Sequence, residues 1–247
     1  MPRLLTYNVH RCVGTDGVLD VGRVAAVIAA LSPDIVALQE VDVGRARTGR
    51  VDQAHALALR LSMTSQFNAA LKVEEELYGD AILTPLPQEV IKSGPLPGYD
   101  RIPQLEARGA LWVSVAIGEV RLHVINTHLG LVPREQQNQA RALAGEAWLG
   151  APERRDPLML VGDFNAGRST LVYRILTAQL TDARRAAPTG RSTATFPAAF
   201  PMLMIDHVFA SSGLTITGAW TPSDRLSRVA SDHLPLVVDF DISGRGP

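Results

Sequence analysis

Strand-length apolar runs recur from one end of this chain to the other, and each stops at, or starts from, a small set of polar residues. Leu4-Leu5-Thr6-Tyr7-Asn8-Val9 opens the series, and Ile35-Val36-Ala37-Leu38 and Leu158-Met159-Leu160-Val161 are continuous apolar stretches. A short apolar run bounded by turn residues reads as a buried strand. Further strands are expected near 65–71, 79–84, 205–210, 214–220 and 234–241, and residues 109–117 and 120–127 read as a hairpin turned at Gly118-Glu119. Between them lies a helix with Asp20 as N-cap. Val21, Val24, Ala25, Ile28 and Leu31 share one face, and Ser32-Pro33 ends it. A shorter helix is expected over 53–61. A longer one should run from Pro133, well suited to a first helical position, to Leu149, with Ala140, Leu143, Ala144, Ala147 and Trp148 facing inward. Pro85, Pro87, Pro95, Pro97 and Pro103 make 85–104 mostly connection, with a short strand over 88–92.

A chain of 247 residues can bury a large core without disulfides or structural metals. No linker, low-complexity stretch or repeat divides it, so one mixed α/β domain over 1–247 is the expectation. Cys12 is the sole cysteine, which excludes an intramolecular disulfide and fits a reducing, cytoplasmic setting. The N-terminus lacks the apolar stretch and cleavage site of a secretory leader, and no apolar run reaches the roughly 18 residues of a membrane span. With 24 basic against 25 acidic residues there is no basic signature of a dedicated duplex binder. A local basic groove needs no global excess, so nucleic acid stays open as a substrate.

The chemistry gathers at the strand ends. The first strand leads to Asn8 and the second to Gln39-Glu40. Leu122-His123-Val124-Ile125 leads to Asn126-Thr127-His128, and Leu158–Val161 leads to Gly162-Asp163-Phe164-Asn165. Two later strands begin with such groups instead, at Ile205-Asp206-His207 and Ser231-Asp232-His233. Where neighbours run antiparallel, the end of one strand lies beside the start of the next, so all six segments can meet at one edge. Magnesium takes carboxylate, amide and water oxygens, which suits Glu40, Asn8 and Asp232. Histidines suit phosphate oxygens or acid partners better. Hydrolysis of a phosphate ester needs this division of labour: a metal for charge, a base for water and donors for the developing oxyanion.

Thr6-Tyr7-Asn8, Gln39-Glu40-Val41, Asn126-Thr127-His128-Leu129, Gly162-Asp163-Phe164-Asn165, Ile205-Asp206-His207 and Ser231-Asp232-His233-Leu234-Pro235 together resemble the endonuclease/exonuclease/phosphatase superfamily, in family order from residue 6 to residue 235. The resemblance implies an α/β (α+β) fold, a four-layer αββα sandwich with two mainly antiparallel β-sheets packed face to face and helices outside. It implies a Mg²⁺-dependent phosphoesterase, with Mn²⁺ as an alternative ion. Glu40 would be the main metal ligand, assisted by Asn8 and Asp232. Asp163 would orient or deprotonate water and Asn165 would help hold water or phosphate. His128 and His233 would donate to phosphate oxygens, with Asp206 keeping His233 protonated. Arg108, in Ala107-Arg108-Gly109-Ala110, would clamp phosphate, with a structural ion pair as the competing role. Two departures stand out. His10 occupies a position where apurinic-site endonucleases carry an aspartate, and Asp80, in Tyr78-Gly79-Asp80-Ala81-Ile82-Leu83, replaces a common asparagine. Both are candidate substrate contacts, Asp80 only if protonated, paired or near the metal.

Simpler roles compete. His207 should face away from Asp206 and be structural, His123 and His55 carry no functional case, and Cys12 is an ordinary small side chain. His10, Arg11, Asp16 and Asp20 lie in a loop beside the site, where solvation is as good an explanation as substrate contact. The Gly-Asp-Phe-Asn and Met204-Ile205-Asp206-His207 sequences depart from inositol phosphatase patterns and favour a phosphodiester substrate, from nucleic acid to phospholipid to small molecule. A phosphomonoesterase is the alternative within that class. Peripheral lipid contact would need an apolar rim, for which Phe196, Phe200, Pro201, Met202 and Leu203 are candidates. A non-catalytic binding module would have lost a ligand or base, and none is missing. A zinc hydrolase lacks its His-x-x-x-His or paired-cysteine spacing.

Overall fold

The computed structural model describes residues 1–102, 104–154, 157–188 and 194–242, so Pro103 of the proline-rich connection lies outside the described residues. Neighbouring residues of the first strand, β1 (Arg3–Asn8), enter different cores. Leu4 packs with Ile35, Leu111, Val124, Val161, Val208 and Val238, whereas Leu5 packs with Val24, Ile28, Val36 and Leu57. Side chains alternate across a strand, so a continuous apolar run is buried on both faces. That pattern produces four layers.

One sheet contains β1, β2 (Ile35–Val43), β3 (Thr64–Val73), β4 (Glu76–Thr84), β11 (Leu214–Trp220) and β12 (Leu236–Ile242), in the order β11-β12-β1-β2-β4-β3. The other contains β5 (Gln88–Pro95), β6 (Gly109–Ile117), β7 (Val120–His128), β8 (Leu158–Asp163), β9 (Thr181–Asp182) and β10 (Asp206–Ala210), in the order β5-β6-β7-β8-β10-β9. Each sheet has one parallel pair, β1 with β2 and β7 with β8, and is otherwise antiparallel. The sheets pack face to face through the Leu4 cluster. Helices α1 (Val21–Leu31) and α2 (Gln53–Leu61) cover the outside of the first sheet. Helices α3 (Pro133–Ala144) and α4 (Leu171–Thr177) cover the second, where Leu143, Val172 and Leu176 meet Trp112, Ile125 and Leu160. Short helices α5 (Ala183–Ala186) and α6 (Arg225–Ala230) complete the set.

The expected helix boundaries hold at α1, where Asp20 accepts from the Arg23 N–H and Ser32 adopts the left-handed cap, and at α2. Three expectations need correction. Strand β2 does not stop at Leu38 but continues to Val43 through a bulge. Strand β5 runs to Pro95, three residues beyond the expected short strand. Helix α3 ends at Ala144, not Leu149, because Gly145 leaves the helical conformation; Trp148 and Leu149 remain buried in turns and Ala147 is exposed. Elements β9, α4, α5 and α6 have no counterpart in the sequence reading, being too short to print a periodic pattern. Among the described residues no helix is long and apolar enough to cross a membrane.

Candidate active site

The two parallel pairs end at the same edge of the stack. Asn8 closes β1 beside Gln39 of β2, while His128 closes β7 beside Asp163 of β8. Asp206, the first residue of β10, lies opposite Asp163 in the antiparallel register. The segment before β12 is tied to the same edge, since the Ser231 hydroxyl donates to the Asn8 carbonyl at 2.8 Å. Glu40 arrives differently. It sits in the β2 bulge between Leu38 and Val41 with φ at 58°, a left-handed conformation uncommon outside glycine, and it lines the cavity.

Two of the motif residues stitch the sheets together. The buried Gln39 amide donates to Asn126 Oδ1 at 2.7 Å and to Thr6 Oγ1 at 3.1 Å. Asn126 in turn donates to the Leu38 and Ala81 carbonyls of the opposite sheet, each at 2.9 Å. Gly162, whose φ is 140°, lies so close to β7 that a Cβ there would stand 1.9 Å from the Thr127 carbonyl oxygen. Only glycine allows β8 to deliver Asp163 at this spacing.

Asp163 is the centre of the cluster. The Asn8 amide donates to both Asp163 Oδ2 and Glu40 Oε1 at 3.0 Å, joining the carboxylates of the two sheets. The Asn165 N–H donates to Asp163 Oδ1 at 2.9 Å. His128 Nε2 and His233 Nε2 face Asp163 Oδ2 at 3.5 and 3.6 Å. Behind His233, its Nδ1 meets Asp206 Oδ2 at 3.0 Å, and the Phe196 ring packs against the imidazole at 4.8 Å between centroids. Burial first, then the charge of Asp206, pushes Asp163 up to about 7, against the pull of His233 and the Asn8 amide. Burial alone would depress His233, but the charge and hydrogen bond of Asp206, with Asp163 and Asp232, raise it to about 10. Asp206 is itself held below the usual carboxylate value: burial opposes its charge, and His233 outweighs burial. His128 goes the other way. Burial, then the positive charges of Arg108 and His233, hold it well below an ordinary imidazole. The cluster thus has one carboxyl titrating near neutrality between a cationic and a neutral histidine.

A cavity of about 310 Å³ opens over this cluster, lined by Glu40, His128, Asp163, Asn165, Asp232 and His233 among others. His10 and Arg108 also line it; Asn8 and Asp206 lie behind it. Arg108 is buried, its Nη1 2.8 Å from both His128 Nδ1 and Glu106 Oε1. Asp80 is fully enclosed and outside the cavity lining, and burial pushes its carboxyl up to about 8. His207 is buried on the opposite face from Asp206, with Nε2 2.9 Å from the Ala166 carbonyl and its ring stacked on Phe209. Cys12 is a core residue whose thiol burial pushes up to about 12. Of the rim candidates, Phe196 lines the cavity, while Phe200 and Met202 are 72% and 66% exposed. Asp16 pairs with Arg23, and Asp20 is the α1 cap.

Sequence reasoning did not single out Arg47, Tyr78, Glu106 or Leu131, which also line the cavity. Arg47 is held by a two-pronged pair with Asp42 and lies over the Tyr78 ring. Nothing local in Gly44-Arg45-Ala46-Arg47 signals that reach. Asp163, Asp206 and His233 have ligand atoms within 4.8 Å of one another, so this buried group could hold a metal ion. His233 Nδ1, however, is already committed to Asp206.

The family described as Endonuclease/Exonuclease/phosphatase matches residues 5–233. The chain is 26% identical over 253 residues to the uncharacterized protein YbhP of Escherichia coli K12, covering 97% of this chain and 96% of that one. An endonuclease/exonuclease/phosphatase from Beutenbergia cavernae DSM 12333, 24% identical, superposes with a TM-score of 0.79 over 98% of this chain and 72% of its own. The mannosyl-6-phosphatase of Bacteroides thetaiotaomicron VPI-5482, 17% identical, gives 0.80 over 98% of this chain and 100% of its own. With the family match spanning nearly all the strands that build the cluster, this chain belongs to the endonuclease/exonuclease/phosphatase family.

Proposed function

We propose that the chain is a Mg²⁺-dependent phosphoesterase, with Mn²⁺ as a substitute ion and a phosphodiester as its preferred substrate. The observation that carries this reading is Asp163, a buried carboxyl near neutrality that faces two histidines of opposite character at 3.5 and 3.6 Å. The oxygen donors fit a hard cation. Glu40 is turned into the cavity by its bulge, and Asp232 is half-exposed, with His10 Nδ1 at 3.9 Å and the Ser231 hydroxyl donating to its Oδ1 at 3.4 Å. Asn8 turns its Nδ2 to Glu40 while its Oδ1 accepts from the His10 N–H, so it steadies the Glu40 carboxylate instead of offering an oxygen of its own. A bound divalent ion supplies charge neutralisation at the phosphoryl and leaving oxygens. The protein does the rest. Asp163, when ionised, takes the proton of an attacking water, and the Asn165 N–H and Asn8 amide fix the carboxylate for that task. His233, kept cationic by Asp206, donates to a phosphoryl oxygen, and neutral His128 donates from the other side of Asp163.

A phosphomonoester of a small molecule is the second reading. It is favoured by the cavity of about 310 Å³, which fits a headgroup-sized ligand better than a duplex, and by the fold shared with a mannosyl-6-phosphatase. Release of nitrophenol from bis-nitrophenyl phosphate and from nitrophenyl phosphate, each with Mg²⁺ or Mn²⁺, separates the two. We expect turnover of the diester, with losses of about a hundredfold or more in kcat for Glu40→Ala and His233→Ala. Absence of turnover in the wild type, or unchanged rates in both variants, removes the proposal.

A further inference from the structure

We propose that Arg108 is a positioning residue that fixes the tautomer of His128, placing the imidazole proton on Nε2, where it faces the cavity. The argument begins with a conflict. Both ring nitrogens of His128 lie against donors: Arg108 Nη1 is 2.8 Å from Nδ1, and Asn165 Nδ2 is 3.1 Å from Nε2. A neutral imidazole has one acceptor nitrogen, so one of these donors must yield. A guanidinium has no acceptor atom and never loses its charge, and its bond here is the shorter and wholly buried one. The Asn165 amide has another partner in the Leu129 carbonyl at 3.0 Å. Arg108 therefore keeps Nδ1 as the acceptor. The proton goes to Nε2, which has Asp163 Oδ2 at 3.5 Å and the cavity in front of it.

This assignment changes what Arg108 does. Its Nη1 is shared between His128 and Glu106, both at 2.8 Å, and so is not offered to a phosphate. His128 becomes a neutral donor whose proton is aimed by an arginine, opposite His233, a charged donor aimed by an aspartate. Glu106 holds the guanidinium in place from the cavity side. The inference deepens the phosphoesterase reading, but its structural half is independent of turnover.

The test uses proton–nitrogen correlation spectra of histidine-labelled full-length protein, with His128→Gln to identify the signals. In the wild type, His128 should show a protonated Nε2 and an unprotonated Nδ1. The R108K variant, which keeps a cationic donor, should preserve this pattern. R108M should lose it, with the proton shared between or moved across the two nitrogens. With bis-nitrophenyl phosphate, R108M should lower kcat about tenfold or more, with KM and the affinity for inorganic phosphate little changed. A wild-type His128 protonated at Nδ1, or an R108M spectrum identical to the wild type, overturns the proposal. So does an R108M variant that keeps kcat but binds substrate and phosphate poorly, the behaviour of a direct clamp. If the wild type turns over no ester, the phosphoesterase reading fails, and the spectra alone decide the tautomer.

Discussion

Asp80 and Asp163 show how burial divides one residue type into different behaviours. Both carboxyls are enclosed and both are raised, Asp163 to about 7 and Asp80 to about 8. Asp163 keeps its charge accessible because the Asn8 amide and the Asn165 N–H donate to it. Arg108 pulls Asp80 down, while burial and then Glu40, Asp163 and Glu106 push it up. Its folded state therefore retains a proton that the unfolded chain releases at the ordinary carboxylate value of 3.8. Between there and about 8 the native state binds more protons, so this residue's contribution to stability declines as pH rises across that window. Asp80→Asn, which imitates the protonated acid, should stabilise the metal-free protein by on the order of 2 kcal/mol more in alkaline than in mildly acidic buffer. Urea unfolding of both proteins at the two pH values measures this. An equal difference at both would show that Asp80 is not proton-bearing.

At the scale of elements, the β2 bulge and the Gln39–Asn126 contact do separate work. The bulge lets β2 continue to Val43 while turning Glu40 into the cavity. The Gln39–Asn126 pair sets how the two sheet edges lie, because three of its bonds cross between sheets. Glu40 comes from one sheet, Asp163 and His128 from the other, so their spacing depends on that contact. Replacing Asn126 with Ala leaves two carbonyls and the Gln39 amide short of a partner. We expect a loss of about 2–4 kcal/mol in unfolding free energy. Activity should fall as well, although no group touching substrate has changed. A variant as stable and active as wild type would show that the sheets hold their spacing by apolar packing alone.

For the molecule as a whole, the site lies beyond the carboxyl ends of two parallel strand pairs, one in each sheet, and every ligand candidate is borne on this edge. On the proposed reading, Glu40 and Asp232, far apart in the chain, would be held by one cation only in the folded state. Binding should then stabilise the fold by mass action. With free Mg²⁺ at ten times its dissociation constant the gain is about 1.4 kcal/mol, a rise of a few degrees in Tm. Thermal unfolding with and without Mg²⁺ should show this rise in the wild type and little of it in Glu40→Gln or Asp232→Asn. An equal rise in all three proteins would place the cation elsewhere, with the Asp163–Asp206–His233 group the next candidate.

The residues determine some of this directly. Strand-length apolar runs, the Asp20 and Ser32 caps, the Gly118 turn and the polar strand ends are local signals, and they point to one mixed α/β domain with Asn8, Glu40, His128, Asp163, Asp206 and His233 at one edge, while the four-layer sandwich follows from the resemblance of the strand-end motifs to a known family. Helices of fewer than two turns print no readable period, so α4 through α6 leave no pattern in the sequence, and apolar residues that keep helical spacing to Trp148 hide the end of α3 at Gly145. Only the tertiary structure decided that Asn126 and Gln39 join the sheets, that Arg108 turns to His128, that Arg47 reaches the cavity and that Asp80 does not. Each of those depends on which polar group stands across a space between strands far apart in sequence. The direction of a hydrogen bond and the burial of a charge belong to the packed pair, not to either residue alone.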